Sequence, residues 1–135
     1  MRVLGIDLGT SRTGIAISDP LGITCTPFPV IRERDQEKVL LRVVAIADEH
    51  GADEIVVGLP RPLGGGSNEQ LKTVIEFIGR LAAIATRPVV SWDERFTSKL
   101  AERGAKRVGE QDSVAACYML QDYLDWRSRA SRRET

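Results

Sequence analysis

The chain has 135 residues, 42% of them hydrophobic, enough for one domain with a real core. Nineteen Lys/Arg balance nineteen Asp/Glu, so no global field draws in polyanions; residues 1–94 hold ten cations against thirteen acids, residues 95–135 nine against six. A single histidine, His50, at an expected helix end, and two cysteines without metal-type spacing, Cys25 and Cys117, exclude a zinc cluster and a Ser-His or Cys-His pair.

In chain order, Val3 to Ser18 reads as a strand, a Gly/Thr/Ser turn and an antiparallel return strand. Asp7 sits in the first strand, where a carboxylate is costly to desolvate without a compensating partner. Either it hydrogen-bonds the Gly9-Thr10 turn, or it is a metal ligand or phosphate-facing acid. Gly5 and Gly9 are read as leaving the backbone beside it open to a ligand. Ile23 to Ile31 is a third strand, placed at an edge by Pro27 and Pro29. Gln36 to His50 has helical spacing of Val39, Leu40, Val43, Val44, Ile46 and Ala47, and Gly51 stops it. Asp53 to Pro60 is a short buried strand of the parallel type.

A Gly64-Gly65-Gly66 loop follows, and Ser67 with Gln70 forms a capping box for a helix to about Ala85. The apolar stripe of that helix is read as Leu71, Val74, Ile75, Ile78, Leu81 and Ala82. Pro88 to Trp92 is the next strand, Thr97 to about Arg107 a short helix, and Asp112 opens the last helix. Residues 127–135 read as a basic, disordered tail beyond a single domain spanning 1–126. This order predicts an α/β fold: a three-strand antiparallel meander plus two parallel strands, with helices on both faces.

The acids left unexplained by solvated helix faces are Asp7, Asp93, Glu94 and Asp112. Open α/β sheets bind ligands at one sheet end, and clustered carboxylates there call for a hard divalent cation. Each has a plainer reading: Asp112 as a helix N-cap, and Asp93 or Glu94 as a surface partner of Arg95. For substrate, Gly64, Gly65 and Ser67 at a helix start are candidates to hold a phosphate. Arg12, Lys72, Arg95, Lys99, Arg103, Lys106 and Arg107 could track a phosphate backbone, with Thr10 and Thr97 as further contacts.

The stretches Gly5-Ile6-Asp7-Leu8-Gly9-Thr10, Ile55-Val56-Val57-Gly58-Leu59-Pro60, Asp93-Glu94-Arg95-Phe96-Thr97 and Asp112-Ser113-Val114-Ala115-Ala116 resemble the four signatures of the YqgF/RuvX family. The resemblance implies an RNase H-like mixed five-stranded sheet and a nuclease. Asp7, Glu94 and Asp112 would bind Mg²⁺ or Mn²⁺, two ions in all, with Asp93 as a fourth acid. It implies first a Holliday junction resolvase, hence a four-way DNA junction as partner and a homodimer. The alternative is maturation of the 5′ end of pre-16S ribosomal RNA. The sequence departs from the family at Gly64-Gly65-Gly66-Ser67, in a short connection from Arg95 to Asp112, and at Phe96. Two other classes stand beside these: an actin-like or sugar-kinase ATPase fragment, from Asp7-Leu8-Gly9-Thr10-Ser11, and a non-catalytic nucleic-acid module. No signal peptide or membrane-length run appears, and reduced cysteines fit a cytoplasmic home.

Overall fold

The computed structural model describes residues 1–60, 69–93 and 111–134, the last stretch with side chains from Ser113 to Ser131. The strands are β1 (Val3–Asp7), β2 (Arg12–Ser18), β3 (Cys25–Arg32), β4 (Glu54–Leu59) and β5 (Val89–Asp93). They form one sheet in the order β3-β2-β1-β4-β5. β1 pairs antiparallel with β2, and β2 with β3, while β1, β4 and β5 run parallel. The described helices are α1 (Gln36–Glu49), α2 (Glu69–Ile84) and α3 (Gln111–Glu134). The expected helix over 97–107 and the Gly64–Gly66 loop lie outside the described residues.

β3 is an edge strand, as its prolines predict. Pro29 falls where the β2–β3 register shifts, between the pairs Thr13↔Ile31 and Ile15↔Phe28, so its missing N–H costs no ladder bond. Asp35 caps α1 by accepting from the Glu37 N–H at 3.0 Å. At the other end His50 is the C-cap and packs edge-on against Phe28, and Gly51 takes a φ of 63° to turn the chain into β4.

Strand alternation divides the core. Leu4, Ile6, Ile15, Ile55 and Val57 face α1 and α2. Val3, Ala16, Val56 and Trp92 face α3, meeting Ala116, Met119, Leu120, Tyr123 and Leu124. On α2 the buried line is Val74, Phe77 and Leu81, while Ile75 and Ala82 are exposed. The buried line is thus rotated by part of a turn from the expected stripe, because the apolar residues of this helix extend beyond the edge that meets the sheet, and only the sheet decides which of them is covered.

Two expectations change. Gly5 is not open to a ligand: α3 lies directly over it, and an added Cβ would come within 3.0 Å of Leu120 Cβ. Residues 127–134 are not a disordered tail but the last turns of α3. Arg127 anchors that end, donating from Nη1 to Glu54 Oε1 at 3.0 Å, so its charge is spent on a contact with β4.

Candidate active site

Asp7 ends β1, the central strand, and its register fixes where it points. Val3 and Gly5 face α3, so Asp7, at the same parity, projects from the α3 face of the sheet at the carboxyl end of the parallel strands. The turn that follows depends on Gly9, where a Cβ would run into the Arg12 carbonyl oxygen. Gly9 is thus required by the turn itself rather than by an approaching ligand.

The last helix reaches the same end. Ser113, in the first turn of α3, donates its hydroxyl to the Phe28 carbonyl at 2.6 Å and accepts from the Ile15 N–H at 3.4 Å. Ile15 follows Gly14, the cross-strand partner of Asp7. The residue before Ser113 is Asp112, whose backbone is thereby held over the strand pair that carries Asp7. Sequence reading missed Ser113; a serine beside a candidate acid is a common N-terminal helix pattern and carries no sign of a partner 98 or 85 positions away.

Asp93 ends β5, paired with Leu59 on the neighbouring β4. Val90 and Trp92 face α3 whereas Val89 faces the other helices, so alternation sends Asp93 to the α1/α2 side, away from Asp7. Glu94, Arg95, Thr97, Lys99, Lys106, Arg107, Gly64, Gly65 and Ser67 lie outside the described residues. No cluster of three metal-ligating side chains occurs among the described residues. What fits a hard divalent cation is the donor chemistry: a carboxylate at a strand end and the start of an acid-bearing helix over it, with no described histidine or thiol at that end.

Cations flank Asp7. Thr10 and Arg12 are exposed, and Arg12 stands directly opposite Arg32 across the β2–β3 pair. Thr13 and Ile31 point to the α1/α2 side, so both arginines share the face of Asp7. Like charges in that position repel unless an anion lies between them. A shallow depression of about 390 Å³ opens there, lined by Ser11, Arg12, Arg32, Glu33 and Arg34. The Glu33 carboxylate is turned away to the Arg34 and Asp35 N–H groups, at 3.0 and 3.1 Å. A groove of about 450 Å³ continues to α1, with Lys38 and Arg42 along it. None of Arg12, Arg32, Arg34, Lys38 and Arg42 makes an ion pair among the described residues. The sequence reading named only Arg12 of these; the mixed run Arg32-Glu33-Arg34-Asp35 looks neutral until both acids are seen capping backbone.

Comparison with known proteins gives this arrangement a family. A family model described as RuvX, Holliday junction resolvase, matches residues 1–126. A relative from Acetivibrio thermocellus is 42% identical over 135 residues, covering 93% of this chain and 96% of its own. One from Desulforudis audaxviator is 36% identical over 143 residues, covering both chains fully. Both are named "Putative pre-16S rRNA nuclease". Among solved structures, Thermus thermophilus RuvC superposes with a TM-score of 0.60 at 14% identity, over 93% of this chain and 96% of that one, a likeness of fold. With the family signatures, the mixed sheet and the matched length in agreement, the chain belongs to the RuvX/YqgF family of nucleases, on an RNase H-like fold.

Proposed function

We propose that this nuclease is a divalent-metal-dependent endonuclease acting on precursor 16S ribosomal RNA, with Asp7, Glu94 and Asp112 as its metal-holding acids. The observation that carries the site is the convergence at one sheet end: Asp7 closing β1, and Ser113 pinning the start of α3 above it. Bound Mg²⁺ or Mn²⁺, two ions in all, would supply an activated water and stabilise charge on the leaving oxygen. Asp7, ending a strand held on both sides, gives a rigid ligand. Asp93, on the opposite face by alternation, is better suited to supporting the β5 end than to holding the ion.

The remaining residues orient the substrate. Arg12, Arg32 and Arg34 engage phosphates beside the scissile one, and Lys38 and Arg42 the next along the groove. Thr10, Gly64, Gly65, Ser67, Arg95, Thr97, Lys99, Lys106 and Arg107 complete the proposed contacts. The sequence reading sets the four-way DNA junction ahead of ribosomal RNA. The names of the full-length relatives favour the RNA. The junction stays as a second reading because the family model carries that description, and it alone would require a twofold dimer.

The test is cleavage of a precursor RNA, a four-way junction and a linear duplex, each with Mg²⁺, Mn²⁺ or EDTA. Trimming of the RNA, abolished by EDTA and lowered at least about 100-fold by Asp7→Asn, is the expected result, the scale of losing a group that stabilises transition-state charge. Paired cuts confined to the junction would replace the first reading with the second. Undiminished cleavage by Asp7→Asn would remove both. Replacing Arg32 and Arg34 by Gln should leave the fold intact. It should also flatten the log–log salt dependence of RNA binding by about 0.7 for each phosphate no longer neutralised.

A further inference from the structure

Away from the acids, β3 and α3 are joined by two thiols. Cys25 and Cys117 are free and half-buried, with their sulfurs 3.2 Å apart. Cys25 Sγ also lies 3.1 Å from the Cys117 carbonyl oxygen and 3.7 Å from Gln121 Oε1, and Cys117 Sγ lies 3.5 Å from the Cys25 carbonyl oxygen. Neighbouring contacts hold the two backbones in register: Ser113 to Phe28 above, and the Gln121 side chain to the Ile23 carbonyl at 2.8 Å below. The pair therefore sits in the middle of a three-point seam between the edge strand and the helix that carries Asp112.

We propose that Cys25 and Cys117 form a redox modification site, whose reagent is a low-molecular-weight disulfide and whose product is an internal disulfide stapling α3 to β3. The two thiols are unequal. Either sulfur can donate to the other across the 3.2 Å contact; with the Cys25 S–H as donor, the hydrogen bond holds the Cys117 thiol below its ordinary pKa. The same hydrogen bond, then burial, pushes the Cys25 thiol far up. Cys117 is accordingly the attacking thiolate. It displaces one thiolate from the external disulfide and becomes a mixed disulfide. Capping removes the negative charge that kept Cys25 protonated. Cys25 then gives its proton to solvent and attacks Cys117 Sγ, expelling the second thiolate. Two protein thiols and one external disulfide thus become one internal disulfide and two small thiols. The closed loop is long, 92 residues of separation, so the oxidised chain loses much of its unfolded-state freedom.

The experiment treats the full chain with oxidised glutathione and follows intact mass, titratable thiols and thermal unfolding, none of which relies on nuclease activity. The expected product is monomeric, lighter by two hydrogens, without titratable thiols, and with an unfolding midpoint raised by on the order of 10 °C. Dithiothreitol reverses all three changes. Cys25→Ser should stop at a glutathione adduct on Cys117, and Cys117→Ser should react more slowly. Stable glutathione adducts on the unsubstituted chain, covalent dimers, or two thiols that survive treatment would each overturn the proposal. So would an internal disulfide that leaves the midpoint unchanged, since no staple would then exist.

Discussion

The two faces of the sheet are held by different chemistry. Under α1 and α2 the buried side chains among the described residues are apolar apart from Thr13, and the ion pairs of that layer, Arg80 with Glu37 and Arg87 with Asp48, lie at its surface. Under α3 the seam contains Ser18, the Cys25–Cys117 pair, Ser113 and a carboxylate, Glu54, which accepts from Tyr123 Oη at 2.6 Å and Arg127 at 3.0 Å. Apolar packing is tolerant of direction, whereas hydrogen bonds fix it. The sheet is thus stabilised from one side and the helix is positioned from the other. That division suits a site assembled from a strand end and a helix start: the strand must not move, and the helix must arrive in one orientation.

The largest effect should come from breaking the sealed side. Phe77 is fully buried between α2 and the sheet. Phe77→Ala should cost about 3–5 kcal/mol in urea unfolding, by lost burial and the cavity left behind. Because this face holds no proposed catalytic group, activity per folded molecule should stay close to that of the unsubstituted chain well below the unfolding midpoint. Activity that falls far more than the folded fraction would erase the distinction between the faces.

The next effect lies on the α3 side, at the closest helix–strand approach. A methyl group at Gly5 would meet Leu120 Cβ at 3.0 Å and Cδ2 at 3.3 Å. Since Leu120 Cβ belongs to the helix frame, relief requires the whole of α3 to lift. Gly5→Ala should destabilise by about 1–3 kcal/mol, an overpacking cost. Here activity should fall beyond the loss of folded protein, because the lifted helix carries Asp112. Combining it with Leu120→Gly, which removes that Cβ, should be clearly non-additive in a double-mutant cycle, the new methyl group entering space the lost side chain leaves. Strict additivity would mean that the two residues do not press on one another.

Much of the scaffold is legible in the sequence because it is local. The Asp7–Gly9–Arg12 turn, the α1 repeat stopped at Gly51 and the edge prolines of β3 each rest on signals within a few residues. What escapes is long-range. Gly5 looks like room for a ligand because nothing local shows that Leu120 fills it. Phe77 yields to Ile75 in the sequence pattern because only the sheet decides which edge of α2 is buried. Arg12 and Arg32 become neighbours through strand register, and Arg127 looks like tail because Glu54 lies 73 positions away. Of the site, the acid Asp7 is readable as an anomaly in an apolar strand. Its relation to α3 is not, since it runs through a serine bonded to two distant strands.

The smallest effect tests the directional side by titration. Burial, then the hydrogen bond to Glu54, pushes the Tyr123 phenol up to about 12. In the unfolded chain it loses its proton near an ordinary value of about 10. Between these values the native state holds a proton that the unfolded state has released, so the stability this group contributes is complete below about pH 10 and declines as pH rises towards about 12. Tyr123→Phe should be less stable at neutral pH by about 1.5–3 kcal/mol, the scale of a hydrogen bond to a charged group. Its stability should then fall less steeply across that window, so the two curves draw together at the alkaline end. Urea midpoints measured from about pH 8 to about pH 12 would show this convergence. Parallel curves would mean that the phenol is as free to ionise in the fold as out of it, and that the α3 seam is held by packing like the other face.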